Sequence, residues 1–347
     1  MGISLPAYNY PPARPGDGVW GPVTSTINWC EEDYYATIYS AEIVNTLTNI
    51  LFIILGVKGL RNCIKYKHDN VFAVAFSGYM LVGIGSFAFH TTLKCMNSNL
   101  IIRFKQRCDL IYATDSMQLV DELSMIYTTC IMCYATFSYA KSRLYRQLLG
   151  FYPTFHQNAF AVLITVVLLR SMYIMEFEVR PSMQKLHSEK MQNKMVEEKI
   201  PRGAWRKPSD LSIVNEMWLM VSLGLSIFLA GFGIWALDNV YCSTLLRWRH
   251  EIGLPWGLLL EGHGWWHLMT GVGSYFYLTW GVWLRYCLMK QHNNFVLYWP
   301  SVFFSLPEVL PLLVAENKAA PKKYLETIKQ RSQMFANKNS RDEKKST

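Results

Sequence analysis

Two histidines four residues apart, His263 and His267, lie in Gly262-His263-Gly264-Trp265-Trp266-His267, near the start of the last strongly apolar stretch of the chain. On a helix such a pair shares one face, so both imidazoles reach one ion, and His-x-x-x-His is a standard way to offer zinc two nitrogens from one rigid element. Beside tryptophans the same pair also reads as interfacial aromatic-belt residues, so the metal reading depends on what else the chain supplies. A second apolar stretch ends in Gly83-Ile84-Gly85-Ser86-Phe87-Ala88-Phe89-His90, with Ser86 one helical turn before His90, and a third opens with Asp121. Catalytic zinc keeps three protein ligands and one open position, a count that His90, His263 and His267 fill. A metal so held brings the pKa of water towards neutrality and supplies hydroxide where bulk water barely reaches. Asp121 is then the acid or base that shuttles protons, and Ser86 a hydrogen-bond donor to an oxyanion or to the activated water. The alternative for Asp121 is a carboxylate facing a favourable helix N-terminus.

A second cluster is acidic. Asn28, Glu31, Asp33 and Glu42 supply hard oxygens, and the turn at Trp29 adds a backbone carbonyl, the ligand set that calcium prefers. The spacing is not that of an EF-hand, and such a cluster also reads as a solvated polar edge. Glu42 differs from the others because it shares a helical face with Asn45 and Asn49 in the first apolar span, where a charge is costly and marks a functional candidate.

The elements that must position these groups are membrane spans. At 347 residues, 51% hydrophobic and only 17% charged, the composition is that of an all-α, polytopic transmembrane helical bundle. Six spans are expected, near Tyr39–Gly59, Val71–Leu93, Gln118–Tyr139, the apolar run Phe160–Ile174 with its start near Pro153, Ile213–Leu237 and Leu258–Leu284, each near the roughly 20 residues that a bilayer requires. Residues 1–35 form a lead-in with the acidic turn, 36–290 the transmembrane domain, and 291–347 an interfacial segment with a basic tail. The proline-broken stretch Phe295–Val314 reads as interfacial, and Glu176–Asp210 as a charged loop. No apolar core follows Met1, so the first span does the targeting. The net charge of +9 lies in loops and tail, the positive-inside pattern, which argues against nucleic acid as partner. The eight cysteines form no zinc-finger spacing, and Cys130-x-x-Cys133 falls inside a span, where packing is the reading.

In order along the chain, Trp20-Gly21-Pro22-Val23-Thr24-Ser25-Thr26 with Asn28-Trp29-Cys30-Glu31-Glu32, Gly85-Ser86-Phe87-Ala88-Phe89-His90-Thr91-Thr92-Leu93-Lys94, Met117-Gln118-Leu119-Val120-Asp121-Glu122-Leu123, Phe155-His156-Gln157, Leu169-Arg170-Ser171-Met172-Tyr173, Trp235-Ala236-Leu237-Asp238-Asn239 and His263-Gly264-Trp265-Trp266-His267 resemble the alkaline ceramidase family, in its fungal-type form. The resemblance runs from Val19 to about Tyr286. It implies a seven-helix intramembrane zinc amidase that cleaves ceramide to a sphingoid base and a fatty acid. Zinc falls on His90, His263 and His267, with Ser86 and Asp121 as active-site partners. It also implies calcium at Asn28, Trp29 (through its carbonyl), Glu31, Asp33 and Glu42, and a disulfide between Cys30 and Cys242. The family's usual Asp and Asn at the first and last positions of the acidic turn stand exchanged here, as Asn28 and Asp33, which keeps the ligand charge.

Two departures stand out. About 20 extra residues, Cys95–Ser116, separate the Thr-Leu-Lys turn from Met-Gln, and only Lys141–Thr154 occupies the place of the fourth helix, which is missing or stunted. Both lie between intact motifs, as a retained intron and a lost coding segment near Leu149 would; transcript sequencing that returned this frame unchanged would rule that origin out. With seven spans and a lumenal N-terminus, the basic loops and tail are cytosolic and the motif residues share the lumenal side. Six spans invert everything after Tyr139 and carry His263 and His267 up to about 30 Å from His90. The ending Lys344-Lys345-Ser346-Thr347 resembles a dilysine retrieval signal and implies the endoplasmic reticulum membrane. The expected partners are a ceramide-type lipid and the membrane, with no obligate protein partner. The rival readings are a seven-helix receptor of the adiponectin and progestin type, against which the Trp-Cys-Glu-Glu turn argues, and a catalytically inactive ceramidase-like membrane scaffold.

Overall fold

The structure is a computed structural model that describes residues 7–14, 16–23, 25, 28–94, 157–192, 210–302 and 304–319. The expected third span, Asp121, the insertion 95–116, the shortened stretch 141–154 and the basic tail lie outside the described residues. The described helices are α1 (Ile43–Thr48), α2 (Ile50–Tyr66), α3 (Asn70–Thr92), α4 (Gln157–Ile174), α5 (Arg180–Gln192), α6 (Asp210–Val240), α7 (Cys242–Ile252), α8 (Gly262–Leu288) and α9 (Leu312–Ala319). Among the described residues, three helical runs are long and apolar enough to cross a bilayer: Ile43–Tyr66, Asn70–Thr92 and Ser212–Val240, of 24, 23 and 29 residues.

The chain divides into two compact units, Met1–Tyr173 with Met217–Gly281 and Ile174–Glu216 with Val282–Thr347. In the first, α1 and α2 form one apolar run with an irregular step at Asn49. Lys67, in the left-handed conformation, ends α2, and the Asp69 carboxylate caps α3 by accepting the Val71 N–H at 3.3 Å. The turn of Lys67–Asp69 therefore sends α3 back beside α2, with Phe52 against Tyr79. At the far end of α3 the last carbonyls lack helical partners, and the lead-in supplies them. Amides of Ser25, Ala41 and Glu42 donate to the carbonyls of Leu93, Thr91 and His90 at 2.9–3.1 Å. Lys94 adds a bond from Nζ to the Pro22 carbonyl at 2.6 Å. The lead-in is thus fixed over the end of α3 that carries His90.

The same lead-in is tied to the segment before α8. Tyr8 and Leu254 exchange backbone hydrogen bonds of 2.9 and 2.8 Å. Gly253, at φ +75°, makes this approach possible, since a β-carbon there would stand 2.4 Å from the Tyr8 carbonyl oxygen. A disulfide joins Cys30 to Cys242 at the start of α7, with Cα atoms 5.4 Å apart.

The second unit adds detail to two expected segments. The stretch from Glu176, expected as a loop, is helical to Gln192, through a π turn at Met175–Val179 and then α5. Its lysine, glutamine, glutamate and methionine content is hydrophilic but favours helix. The expected interfacial segment, in an all-α chain, is a two-stranded antiparallel hairpin: β1 (Phe295–Tyr298) pairs with β2 (Glu308–Pro311), Val296 facing Leu310 and Leu297 facing Val309. Two of the prolines, Pro300 and Pro307, fall in the connection, and Pro311 ends the strand, where its missing N–H costs no ladder bond.

Candidate metal centre

His90 sits on the last full turn of α3 and His263 and His267 on the first turns of α8, and all three are buried, at 1%, 4% and 5% exposure. One side-chain nitrogen from each lies within 4.8 Å of the others. The three histidines therefore stand together, not up to about 30 Å apart. Three buried imidazole nitrogens this close to one another could hold a metal ion. The donor set, all nitrogen and sealed from solvent, suits a borderline metal ion such as zinc.

Each imidazole is held by a different device. Nδ1 of His90 hydrogen-bonds to the Glu42 carboxylate. Nδ1 of His267 stands 3.0 Å from Thr48 Oγ1 and 3.2 Å from Asn49 Nδ2. His263 is stacked on the Trp29 indole, ring centroids 4.3 Å apart and 24° from parallel, and its Nδ1 has no hydrogen-bond partner. Gly264 lets α8 lie against α1: a β-carbon there would stand 2.8 Å from Val44 Cγ1. Ser86 is buried at 3% on the turn of α3 before His90.

The acidic residues converge beside this cluster. Glu42, 0% exposed, accepts the Trp29 N–H on Oε1 at 3.2 Å and the Asn45 amide on Oε2 at 3.1 Å. Glu31 spends both oxygens on the start of α1, accepting the N–H groups of Val44 and Asn45 at 2.7 and 2.8 Å. Asn28 donates to Asp33 Oδ2 at 3.1 Å, while Asp33 Oδ1 is buried without a partner. Burial, with the nearby Glu42 carboxylate, pushes the Asp33 carboxyl up to about 6, and burial pushes Glu31 well above the usual range, reinforced by Glu261 and Glu42. A concentration of buried carboxylates with an orphaned oxygen fits a hard divalent cation.

Sequence reasoning missed the group that ties these parts together. Arg249, fully buried on α7, donates from Nη1 to the Cys30 carbonyl at 2.7 Å and from Nη2 to the Leu260 carbonyl at 2.9 Å. Its Nη2 also pairs with Asp238 Oδ1 at 3.3 Å and Glu261 Oε2 at 3.1 Å. Tyr10 donates to the other Glu261 oxygen at 2.7 Å, and Asp238 accepts the Gly262 N–H at 3.2 Å. One guanidinium thus joins the acidic turn, the end of α6 and the start of α8. Asp238 lay within a recognised motif; nothing in the sequence pointed to Arg249.

A buried three-histidine cluster that could hold a metal ion, where α3 ends and α8 begins, in a chain with helices apolar enough for a bilayer, defines a candidate metal-site membrane protein. The chain belongs to the ceramidase family, which it matches over residues 21–310. Its relatives include alkaline ceramidase YPC1 of Saccharomyces cerevisiae, 34% identical over 313 residues that cover 87% of this chain and 89% of that one. Alkaline ceramidase 3 of Mus musculus is 30% identical over 317 residues, 84% of this chain and 97% of that one. An alkaline ceramidase of Arabidopsis thaliana is 24% identical over 287 residues.

Proposed function

We propose that this chain is an alkaline ceramidase that hydrolyses the amide bond of ceramide to a sphingoid base and a free fatty acid, with zinc held by His90, His263 and His267. The observation that carries the reading is the buried histidine cluster, its nitrogens within 4.8 Å, in a chain that matches the ceramidase family over residues 21–310. The receptor alternative loses ground to the same match. Zinc at that position supplies Lewis acidity, acidifying water and polarising a carbonyl oxygen. The chain's own groups do the rest. The Ser86 hydroxyl, one turn from His90, donates a hydrogen bond to the oxyanion that develops at the amide carbonyl. The Asp121 carboxylate takes a proton from the attacking water and delivers it to the departing amine nitrogen. Glu42 and the Trp29 ring orient His90 and His263, and the apolar surroundings exclude bulk water.

Calcium is the proposed occupant of the acidic turn, at Asn28, the Trp29 carbonyl, Glu31, Asp33 and Glu42, where it neutralises carboxylates that burial otherwise disfavours. The proposed location is the endoplasmic reticulum membrane, multi-pass, with a lumenal N-terminus and a cytosolic C-terminus. The Cys30–Cys242 disulfide supports a lumenal lead-in, since disulfides persist in oxidising compartments. The proposed count is seven spans. His90 near the end of α3 and His263 at the start of α8 meet on one side, so the chain between them crosses the membrane an even number of times. The test is ceramide hydrolysis at alkaline pH in membranes expressing the 347-residue chain. Activity is expected, lost at least 1,000-fold in His267→Ala and on treatment with a strong chelator. Activity that survives both removes the zinc reading.

A further inference from the structure

Two short stretches of the lead-in are strapped into one platform beside the start of the first bilayer-length helix. The Val19 N–H donates to the Ile38 carbonyl at 3.0 Å, and Trp20 Nε1 donates to the Tyr39 carbonyl at 2.9 Å. The buried Tyr34 ring lies beneath the turn: a β-carbon on Gly18 would stand 2.2 Å from Tyr34 Cε1, so the backbone rests directly on it. The side chains of Val19, Trp20, Ile38 and Tyr39 are each more than two-fifths exposed. Apolar side chains scattered singly over a surface are ordinary, whereas four on two paired stretches form a patch and mark a contact. The Trp20 N–H already has its acceptor, so the exposed part of that ring has only apolar surface to offer.

The neighbours of the patch set its height. Tyr39 precedes α1 by four residues, and Ala41 donates to the Thr91 carbonyl at the end of α3 at 2.9 Å. The run Ile43–Tyr66 has 24 residues, roughly 36 Å at the helical rise, against a hydrocarbon core of about 30 Å. Its ends therefore reach the headgroups, and the patch lies just before one of them. Ile54, Val57 and Ile64, three and seven positions apart, are exposed on one stripe of α2, the surface that a bilayer covers, and Leu47 is exposed on α1 between that stripe and Tyr39 in sequence. Lys94 adds a charge at the same turn, its Nζ on the Pro22 carbonyl at 2.6 Å. Amphipathic rings beside a lysine suit the level where membrane meets water. We propose that Val19, Trp20, Ile38 and Tyr39 form an interfacial anchor that seats the lead-in on lipid, at the end of α3 that carries His90. The anchor rests on Ile43–Tyr66 being a membrane span and does not depend on the reaction. It holds the lead-in, which stacks Trp29 on His263, against the bilayer as well as against α3.

The experiment takes Trp20 itself as the probe, in the full-length protein reconstituted into phosphatidylcholine vesicles. The emission of the parent minus that of Trp20→Phe is the contribution of this indole. Phosphatidylcholine brominated high on its acyl chains is expected to abolish most of that difference, and aqueous iodide to leave it largely intact. A difference lost to iodide and untouched by brominated lipid overturns the proposal. A second measurement stands even where Trp20→Phe does not fold. Tyr39, Ile54 and Ala13 are replaced one at a time by the photoreactive p-benzoylphenylalanine, in vesicles that carry a tagged phosphatidylcholine. Lipid adducts are expected at positions 39 and 54, and none above the unirradiated background at position 13, which is exposed in the proline-rich part of the lead-in. Adducts at 54 without adducts at 39 overturn the anchor alone, and adducts at neither overturn the membrane span with it. Labelling at 13 equal to that at 39 overturns the anchor as a dedicated patch. Adducts between two copies of the chain at position 39, in place of lipid, also overturn it, because the patch is then a self-association surface.

Discussion

At the scale of single residues, the cluster depends on charges that water never reaches. Arg249 is fully buried and faces two carboxylates, Asp238 and Glu261, at 3.3 and 3.1 Å. Removing one partner of such a group leaves the others uncompensated, which costs about 3–5 kcal/mol. Arg249→Leu is therefore expected to lower the melting temperature sharply and to loosen the start of α8, and adding Glu261→Gln to recover part of the loss because it removes one stranded charge. A leucine variant as stable as the parent in a thermal scan would show that the hub is dispensable. The same residues mark what the sequence made legible. Histidines at i and i+4, and a glutamate on one face with Asn45 and Asn49 inside an apolar span, announce themselves by type and spacing. Arg249 and its Cys30 carbonyl are 219 positions apart, and one arginine among many in a basic chain carries no local signal.

At the scale of elements, the site exists because three helix ends are held together from outside. The lead-in caps the carbonyls of α3, Glu31 caps the amides of α1, and Arg249 with Asp238 holds the start of α8. None of these devices follows from apolar periodicity, which located α3, α6 and α8 to within a few residues but gave no reason for their ends to meet. Periodicity also failed where composition misled, at the charged helix α5 and at the hairpin of β1 and β2. The distance between α1 and α8 is the most sensitive quantity at this scale. A β-carbon at Gly264 would stand 2.8 Å from Val44 Cγ1, closer than side chains pack. Gly264→Ala must spread the two helices by some tenths of an ångström or turn Val44 out of its rotamer, and small displacements of a reacting constellation cost up to about 100-fold in rate. Gly264→Ala is expected to lower kcat/KM by about 10–100-fold without unfolding the protein, and Val44→Ala in the same chain to restore most of it. An alanine variant with parental kinetics would mean that the helices have slack.

At the scale of the whole molecule, the proposed topology sets the chemistry on one side of the membrane and the basic residues on the other. The histidine cluster, the acidic turn and the Cys30–Cys242 disulfide gather at the end of α3, the end of α6 and the start of α8. The opposite end of α3 carries basic residues, Arg61, Lys65 and Lys67, where α2 turns into α3. Lysine and arginine favour the cytosolic side of a membrane, and a disulfide favours the lumenal side. These two unrelated tendencies support the proposed lumenal lead-in. Glycosylation mapping tests the orientation directly, because the modification occurs only in the lumen and its Asn-x-Ser/Thr acceptor can be built into the chain. An acceptor placed between residues 11 and 14 is expected to be modified and one placed between 196 and 205 to remain bare. The reverse result would put the metal centre on the cytosolic side, where a disulfide does not persist. Modification at both positions would change the parity of crossings between them, a parity that the meeting of His90 with His263 and His267 constrains from the other end.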